Sequence, residues 1–279
     1  KHFELVIMFG PRGSVLHTKL KRELWQIRGQ VLAIALVIAG GIAVCLLSIV
    51  NYTSLDATRQ QYYQEQQFAD VFVSLKRAPR HLEQQIERIP GVHRLSARVE
   101  GAAKLEVAGF NDPVSARLVS LPTTGQPAVN QLYLRQGRLP EPGRNQETVI
   151  IGSFADAHHL QPGDTLSAVI NGRKQTLTVV GIAESPEFIY VIPPGGMLPD
   201  YQRYGVLWLP REALASAMDL RGAFNSLVLQ TAPDYPVADV IDRLDRLLER
   251  YGSTGAYARK DQFSHRFLSD ELEQLKAMA

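Results

Sequence analysis

The segment from Val31 to Val50 is almost entirely apolar and carries no charged side chain. Its length of about 20 residues is what an α-helix needs to cross the hydrocarbon layer of a bilayer. A secretory signal peptide has a shorter apolar region, of roughly 7–15 residues, followed by a cleavage site flanked by small residues. The sequence "NYTSLDATRQ" that comes next offers no such site. The segment is therefore predicted to be a permanent membrane-spanning helix.

The single cysteine of the chain, Cys45, lies within this segment and raises a lipoprotein signal as an alternative. Lipidation signals place a small residue before the cysteine, whereas Val44 precedes it here. We therefore interpret Cys45 as one more apolar residue of the span. Because the chain has no second cysteine, its fold contains no internal disulfide and must depend on packing alone.

Basic residues are concentrated on the N-terminal side of the span, and no Lys or Arg follows it before Arg59. Because basic flanks tend to remain in the cytoplasm, the N-terminus is predicted to be cytoplasmic and residues 51–279 extracytoplasmic, with the span in the cell's inner membrane. The preceding "VLHTKLKRELWQIR" has the pattern of a short amphipathic helix at the membrane surface. Its predicted contacts with membrane lipid are Lys19, Lys21, Arg22, Trp25 and Arg28.

Small residues recur on one face of the predicted span. Ala35, Ala39 and Ala43 lie one helical turn apart, beside Gly40 and Gly41. Small residues at this spacing let a second transmembrane helix approach closely, which predicts a helix-packing surface. The alternative is that Ala and Gly are simply common in membrane spans, and the sequence fits it equally well.

The composition is that of an ordinary globular protein attached to a membrane helix. The 279 residues are 45% hydrophobic and 21% charged, with a net charge of +2, so no nucleic-acid partner is expected. Residues 1–14 include "PRGS", which resembles a protease-site scar from an expression vector, and we set them aside as a leader. They fit equally well as native residues upstream of a mis-assigned start.

Two distant segments share a β-α-β pattern. The first combines the strand-like "DVFVSLKR", a helix with Leu82, Ile86 and Ile89 on one face, and the alternating "HRLSARVEGAAKLEVAGF". The second combines "FNSLVLQT", an amphipathic helix with Val240 and Leu244 facing inward, and "GAYARKD". Two such units can form a split α+β layer pair, with both helices on one face of a shared sheet.

The residues between these units predict a β-rich insert. "LSAVI" and "QTLTVVGIA" flank Asn171-Gly172, the strongest short-range signal for a β-hairpin. A last amphipathic helix is predicted, with an apolar stripe formed by Phe263, Phe267, Leu268, Leu272 and Leu275.

The predicted fold class is therefore α+β: one N-terminal transmembrane helix, then a split β-α-β extracytoplasmic domain with a β-rich inserted subdomain. The expected boundaries are 1–14 for the leader, 15–30 for the cytoplasmic amphipathic elbow, 31–50 for the span, 51–124 and 216–262 for the two halves of the α+β subdomain, 125–215 for the insert, and 263–279 for the last helix.

The sequence predicts no catalytic, cofactor-binding or metal-binding residue. It has no phosphate-binding G-x-x-x-x-G-K-[ST] motif and no G-x-S-x-G nucleophile motif. His158 and His159 are adjacent, and neighbouring residues of a helix point about 100° apart, which does not suit a shared metal. Glu184 and Glu187 form a carboxylate pair without a third catalytic group, and "PGD" and "SPE" are typical of turns.

Several motifs taken in order resemble one family. They are "LAIALVIAGG", "IPGV", "NQLYLRQGRLP" and "ETVIIGSFADAHHLQPGDTLSAVINGRKQTLTVVGIAESPEFIY". Together they are similar to the extracytoplasmic domain of MacB/FtsX-type ABC-transporter permeases, over about residues 17–279. In that family the domain lies between the first and second spans, which implies that this chain is the N-terminal fragment of a longer permease with three more spans.

The resemblance implies a non-catalytic permease that couples cytoplasmic ATP hydrolysis to export or mechanical work in the periplasm. Its implied partners are a separate ABC ATPase subunit, a second permease copy or homologue in a dimer, and a periplasmic adaptor protein. The alternative is a single-span sensor or receptor with an extracytoplasmic ligand-binding domain. An extracytoplasmic enzyme comes third, because the residues of an active site are missing from the sequence.

Overall fold

The computed structural model describes residues 28–277 and, before them, Lys19, Lys21, Arg22 and Trp25. The predicted leader 1–14 therefore lies outside the described residues. The described residues divide into two compact units, one made of those up to 55 with those from 273 onward and the other of residues 56–272.

Within the described residues, the strands in chain order are β1 (Val71–Pro79), β2 (Val92–Arg98), β3 (Glu100–Val107), β4 (Phe110–Leu121), β5 (Tyr133–Gly137), β6 (Glu147–Ile151), β7 (Thr165–Ile170), β8 (Arg173–Glu184), β9 (Tyr204–Pro210), β10 (Ala223–Thr231) and β11 (Ala256–Ala258). The helices are α1 (Arg28–Glu65), α2 (Leu82–Glu87), α3 (Gly152–His158), α4 (Arg211–Ala217), α5 (Val237–Leu248) and α6 (Phe263–Ala277).

Helix α1 contains the predicted span and is longer than it, with 38 residues. Among the described residues it is the one helix long and apolar enough, by length and composition, to cross a membrane. The helix does not end where the apolar run ends, and the Thr53 hydroxyl there donates to the carbonyls of Ile49 and Val50 at 2.9 and 3.0 Å. The side chains of the apolar run are exposed in the structure, apart from the partly buried Ser48.

The smaller sheet has four strands in the order β11-β1-β10-β2, and every pairing is antiparallel. Each β-α-β unit contributes two strands, and a strand of the other unit lies between them. Helices α2 and α5 cover the same face, where the buried side chains of both helices form one apolar core with the sheet. These are Leu82, Ile86, Val240, Leu244 and Leu248. The predicted split α+β arrangement is confirmed.

The larger sheet has the strand order β5-β8-β6-β9-β4-β3-β7, and β7 also pairs with β8. That pairing closes six strands into a small barrel, to which β5 is added at the end of the long strand β8. Strands β7 and β8 form the predicted hairpin around Asn171 and Gly172, whose φ angles of 47° and 76° suit a tight two-residue turn. The barrel interior is filled by apolar side chains such as Leu118, Ile150 and Leu207.

The sheet topology corrects the predicted boundary of the insert. Strands β3 and β4 were expected in the first half of the α+β subdomain, 51–124, but both belong to the barrel. The chain enters the barrel at Glu100, directly after β2, and leaves it between α4 and β10. The alternation of "EGAAKLEV" shows which face of the strand is buried, but it is the same whichever sheet the strand joins. The pattern therefore could not show that this strand belongs to the barrel.

Helices α1 and α6 lie side by side in opposite directions within the larger unit. Arg59 donates to the Ser269 hydroxyl at 3.1 Å, and one turn further the Tyr63 hydroxyl lies 3.1 Å from His265 Nδ1. Of the predicted apolar stripe of α6, Leu272 is buried, whereas Phe263 is 46% exposed.

Candidate functional site

A buried ion pair joins the small sheet to the barrel. Arg98, the last residue of β2, donates through Nη1 to Glu187 Oε2 at 2.6 Å and through Nη2 to Glu187 Oε1 at 3.1 Å. Glu187 lies in a short 3₁₀ turn after β8, where the Ser185 side chain accepts from its N–H and Pro186 begins the turn. Both charged side chains are buried, so each depends on the other for the hydrogen bonds it has lost to water.

Glu100, two residues after Arg98, extends this pair into the barrel. One carboxylate oxygen accepts from Arg98 at 2.7 Å and from the Ser226 hydroxyl of β10 at 2.6 Å. The other accepts from Nε of Arg117, on β4, at 3.0 Å. Two arginines and two glutamates thus form a cluster whose charges balance. It contains groups from both sheets, and we call Arg98, Glu100, Arg117 and Glu187 the charge cluster.

The cluster shifts the pKa values of Arg98, Glu100 and Arg117. Burial acts to raise the pKa of Glu100, but the positive charges of Arg117 and Arg98 outweigh it and hold that pKa at about 2. Burial acts to lower the pKa of Arg98, and the negative charges of Glu187 and Glu100 overcome it, so that the net shift is upward. All the shifts favour the charged forms, as expected when each buried charge has a close partner of opposite sign.

A chain of hydrogen bonds leads from the cluster to helices α6 and α1. Gln262 donates through Nε2 to the Glu187 carbonyl at 2.9 Å, and its Oε1 accepts from the His265 N–H at 2.6 Å. The His265 ring in turn faces Tyr63 of α1. Asn130 makes a second connection, because it donates to Glu187 Oε2 at 2.7 Å and accepts from the N–H of Ala69 at 2.8 Å.

Arg259 fixes the turn between α1 and β1. Its guanidinium donates to the carbonyls of Phe68 and Ala69 at 2.6 and 2.8 Å and to Asp70 Oδ1 at 2.7 Å. The same group lies 4.9 Å from the centre of the Phe68 ring, a cation–π contact. The end of α1 is therefore held by main-chain and ring contacts from a residue four positions before the start of α6.

His265 is neutral in this environment. Burial lowers its pKa to about 4, and the positive charges of Arg59 and Arg259 add to the effect. A charged imidazole here would meet two cations and lose its fit against the Phe68 ring, whose centre is 6.1 Å away. The helix contact is thus built for an uncharged histidine.

The structure places the residues singled out in the sequence as follows. Ala35, Ala39 and Ala43 lie exposed along α1, and their role in helix packing stays a prediction. Lys19, Lys21, Arg22, Trp25 and Arg28 are helical and exposed, with the Arg28 guanidinium 5.1 Å above the Trp25 ring. Their role as membrane anchors also stays a prediction.

The histidine pair is separated by the end of α3. His158 lies 2.8 Å through Nε2 from the Gln202 carbonyl and its ring packs 4.6 Å from that of Phe154, whereas His159 adopts a left-handed conformation that ends the helix. The two glutamates are also separated, because Glu184 pairs with Arg135 on the surface of the barrel at 3.2 Å. Only Glu187 belongs to the charge cluster.

The charge cluster was missed by sequence reasoning. Arg98 and Glu187 are 89 residues apart, and a charged residue is normally read as solvent-exposed. The available signals were weak: an Arg and a Glu on either side of Val99 in "ARVEG", and a glutamate inside the apolar sequence "SPEFIYV".

The comparisons with known proteins give structural neighbours only. No protein-family model matches the chain, and no curated protein sequence does. The extracellular domain of the noncanonic ABC-type transporter YknZ from Gram-positive bacteria is 12% identical, with a TM-score of 0.44, covering 68% of this chain and 98% of its own. The periplasmic region of MacB from Actinobacillus actinomycetemcomitans is 12% identical, with a TM-score of 0.45, covering 77% and 98%.

A third neighbour is a domain of a protein assigned as a permease of Porphyromonas gingivalis, 15% identical, with a TM-score of 0.40, covering 71% of this chain and 91% of its own. At these identities the likeness to the three solved domains concerns the fold alone.

Proposed function

We propose that the chain is the first span and extracytoplasmic domain of a non-catalytic ABC-transporter permease of the MacB/FtsX type. In this proposal α1 crosses the inner membrane with its N-terminus in the cytoplasm, and a separate ATPase subunit hydrolyses ATP there. A second permease copy and a periplasmic adaptor complete the assembly. The domain's task is to carry motion from the membrane helices to the surface that acts in the periplasm.

One observation carries this proposal: the continuous path of contacts from α1 and α6 to the barrel. A shift of α6 against α1 acts first on Tyr63 and His265, whose contact holds the two helices together. It passes through Gln262 to the Glu187 main chain and then to the charge cluster. A buried ion cluster tolerates little distortion before its charges lose their partners. A displacement that reaches the charge cluster therefore moves the barrel and does not lengthen the ion pairs.

The experiment measures a distance within the larger unit in the full permease assembled with its ATPase. Spin labels are placed at two exposed positions, Gln61 on α1 and Lys104 on the barrel, after Cys45 is replaced by alanine. Addition of a non-hydrolysable ATP analogue is expected to shift the distance distribution, because ATPase closure displaces the membrane helices.

The variant Glu187→Gln is expected to abolish that shift while leaving the ATPase bound, because it removes one charge from the cluster. The matched control is Glu106→Gln, the same chemical change in an exposed pair with Lys174 at 2.6 Å on the same barrel. An unchanged shift in Glu187→Gln would contradict coupling through the cluster. Failure of the permease to bind any ATPase would favour the single-span sensor instead.

A further inference from the structure

The outer edge of strand β2 lies beside no other strand among the described residues, although some of its backbone groups bond to side chains. Strand β2 is the last strand of the four-stranded sheet, with β10 on its other side. Alternate residues of such a strand point their N–H and C=O groups outward. The backbone groups of Val99, directly after β2, point outward, because they exchange hydrogen bonds with Ser120 and not with β10. Those of Ala97 also point outward, since its carbonyl accepts from Arg211 at 2.8 Å. By the same alternation both backbone groups of Leu95 point outward.

A cleft of about 330 Å³ runs along this edge. Its lining includes residues 95–98 of that edge, Pro122 and residues 126–128 of the segment that follows β4, and Arg211, which bonds the Ala97 carbonyl. The N–H groups of Leu95 and Ala97 therefore face an open cleft rather than a neighbouring strand. Unpaired backbone groups on a sheet edge are a template for one more strand, and their main-chain hydrogen bonds are what such a strand gains.

Charges at the two ends of the cleft differ in sign. At the Ala97 end the Arg80 side chain is 58% exposed, and its contact with Glu83 is long, at 3.9 Å. Glu83 pairs more closely with Arg211, at 2.8 Å, so the charge of Arg80 is only weakly paired. At the other end Glu87 lines the cleft and makes no ion pair with the described residues. Arg80 and Glu87 are seven positions apart on the same segment, which corresponds to roughly 10 Å along a helix axis.

We propose that this cleft binds an extended segment of a partner protein as an additional antiparallel strand on β2. An acidic side chain of that segment lies toward Arg80, and a basic side chain further along lies toward Glu87. Residues four apart in a strand share a face and are about 13 Å apart. Long charged side chains at this spacing can reach both Arg80 and Glu87. Since the added strand runs antiparallel to β2, the acidic residue comes first in its sequence.

The probe is a labelled peptide of sequence TTDTVTKTT, and the control is TTKTVTDTT, which exchanges the two charged residues. Fluorescence anisotropy with the full chain in detergent micelles is expected to show binding of the first peptide about tenfold tighter than of the second. The double substitution Arg80→Glu with Glu87→Arg is expected to reverse that preference. Both positions are solvent-exposed, so the variant is expected to fold normally.

A backbone variant tests the hydrogen bonds. Leu95→Pro removes an N–H that points into the cleft and makes no bond to β10, a position where a strand accepts proline. The variant is expected to stay folded and to lose at least tenfold in affinity. The proposal is overturned if the wild type binds neither peptide, if it binds both equally, or if folded Leu95→Pro binds unchanged. None of these results affects the nucleotide-driven distance change, so the proposed function is tested separately.

Discussion

Glu100 receives hydrogen bonds from two arginines and a serine in a site with little exposure to water, and the stability that it contributes therefore depends on pH. Its pKa of about 2 in the folded protein lies below the ordinary value of 4.5. A depressed carboxylate pKa stabilises the fold fully above the unfolded value and loses that contribution as the pH falls toward the folded value. The free energy of unfolding is therefore expected to decrease between about pH 5 and pH 2.

Urea unfolding of wild type and Glu100→Gln across this pH range checks the expectation. The variant is expected to be less stable at neutral pH, by on the order of 3 kcal/mol, because it takes one of two carboxylate partners away from the buried Arg98. The free energy of unfolding of the variant is also expected to decrease less than that of wild type as the pH falls. The control Glu106→Gln removes an exposed carboxylate and is expected to change stability by less than about 1 kcal/mol. Equal pH slopes in wild type and Glu100→Gln would rule out the assigned role.

His265 gives a pH dependence in a different range. Its pKa of about 4 lies below the ordinary value of 6.5, so the unfolded chain takes up the proton first as the pH falls. The stability due to the neutral ring is complete above about pH 6.5 and is lost between there and pH 4. His265→Gln, which cannot be protonated, is expected to remove this part of the acid dependence, whereas the exposed His93→Gln is expected to leave it. An NMR titration midpoint of His265 near 6.5 would contradict the assignment.

At the scale of elements, the entry and exit of the barrel lie next to each other. Arg98 and Ser226 are paired across β2 and β10, so removal of residues 100–222 leaves two strand ends side by side. A Gly/Ser bridge of about four residues closes them as a hairpin. With Arg98→Thr, which removes the charge that would lose its partner, the shortened chain is expected to keep a cooperative thermal transition by circular dichroism, at a lower midpoint.

Removal of residues 125–215 is the matched comparison. That cut follows the boundary predicted from sequence and leaves β3 and β4 without β9, β7 and the apolar barrel interior they face. The small sheet is complete in this variant, but the uncovered apolar faces of β3 and β4 are expected to make it aggregate on heating instead of unfolding in a reversible cooperative transition. If the first deletion unfolds and the second does not, the two sheets do not form the separable subdomains proposed here.

The contrast between these deletions shows what the sequence predicts at this scale. The Asn171-Gly172 hairpin and the two β-α-β units were predictable because their signals are local: turn residues that suit positive φ angles, and apolar residues at helical or strand spacing. The neighbours of β3 and β4 were not, because alternation does not identify the partner strand. The charge cluster was harder still, since its members become neighbours only through the tertiary fold.

For the whole molecule, the orientation across the membrane is the open prediction. A cysteine placed at Thr124, an exposed loop residue, is expected to react with a membrane-impermeant thiol reagent in intact cells after Cys45 is replaced by alanine. A cysteine at Ser14, before the span, is expected to react only in permeabilised cells, because the basic flank holds that side in the cytoplasm. The reverse labelling pattern would invert the proposed topology.

The position of β10 between β1 and β2 also sets an order of events during synthesis. Arg98 and Ser226 are 128 residues apart, which at 5–20 residues per second separates their emergence from the ribosome by on the order of 10 s. All the barrel strands are translated in that interval. The barrel strands can therefore pair with one another first. Until β10 is synthesised, β1 and β2 lack the strand that lies between them. The small sheet is therefore expected to be the last part of this domain to become native.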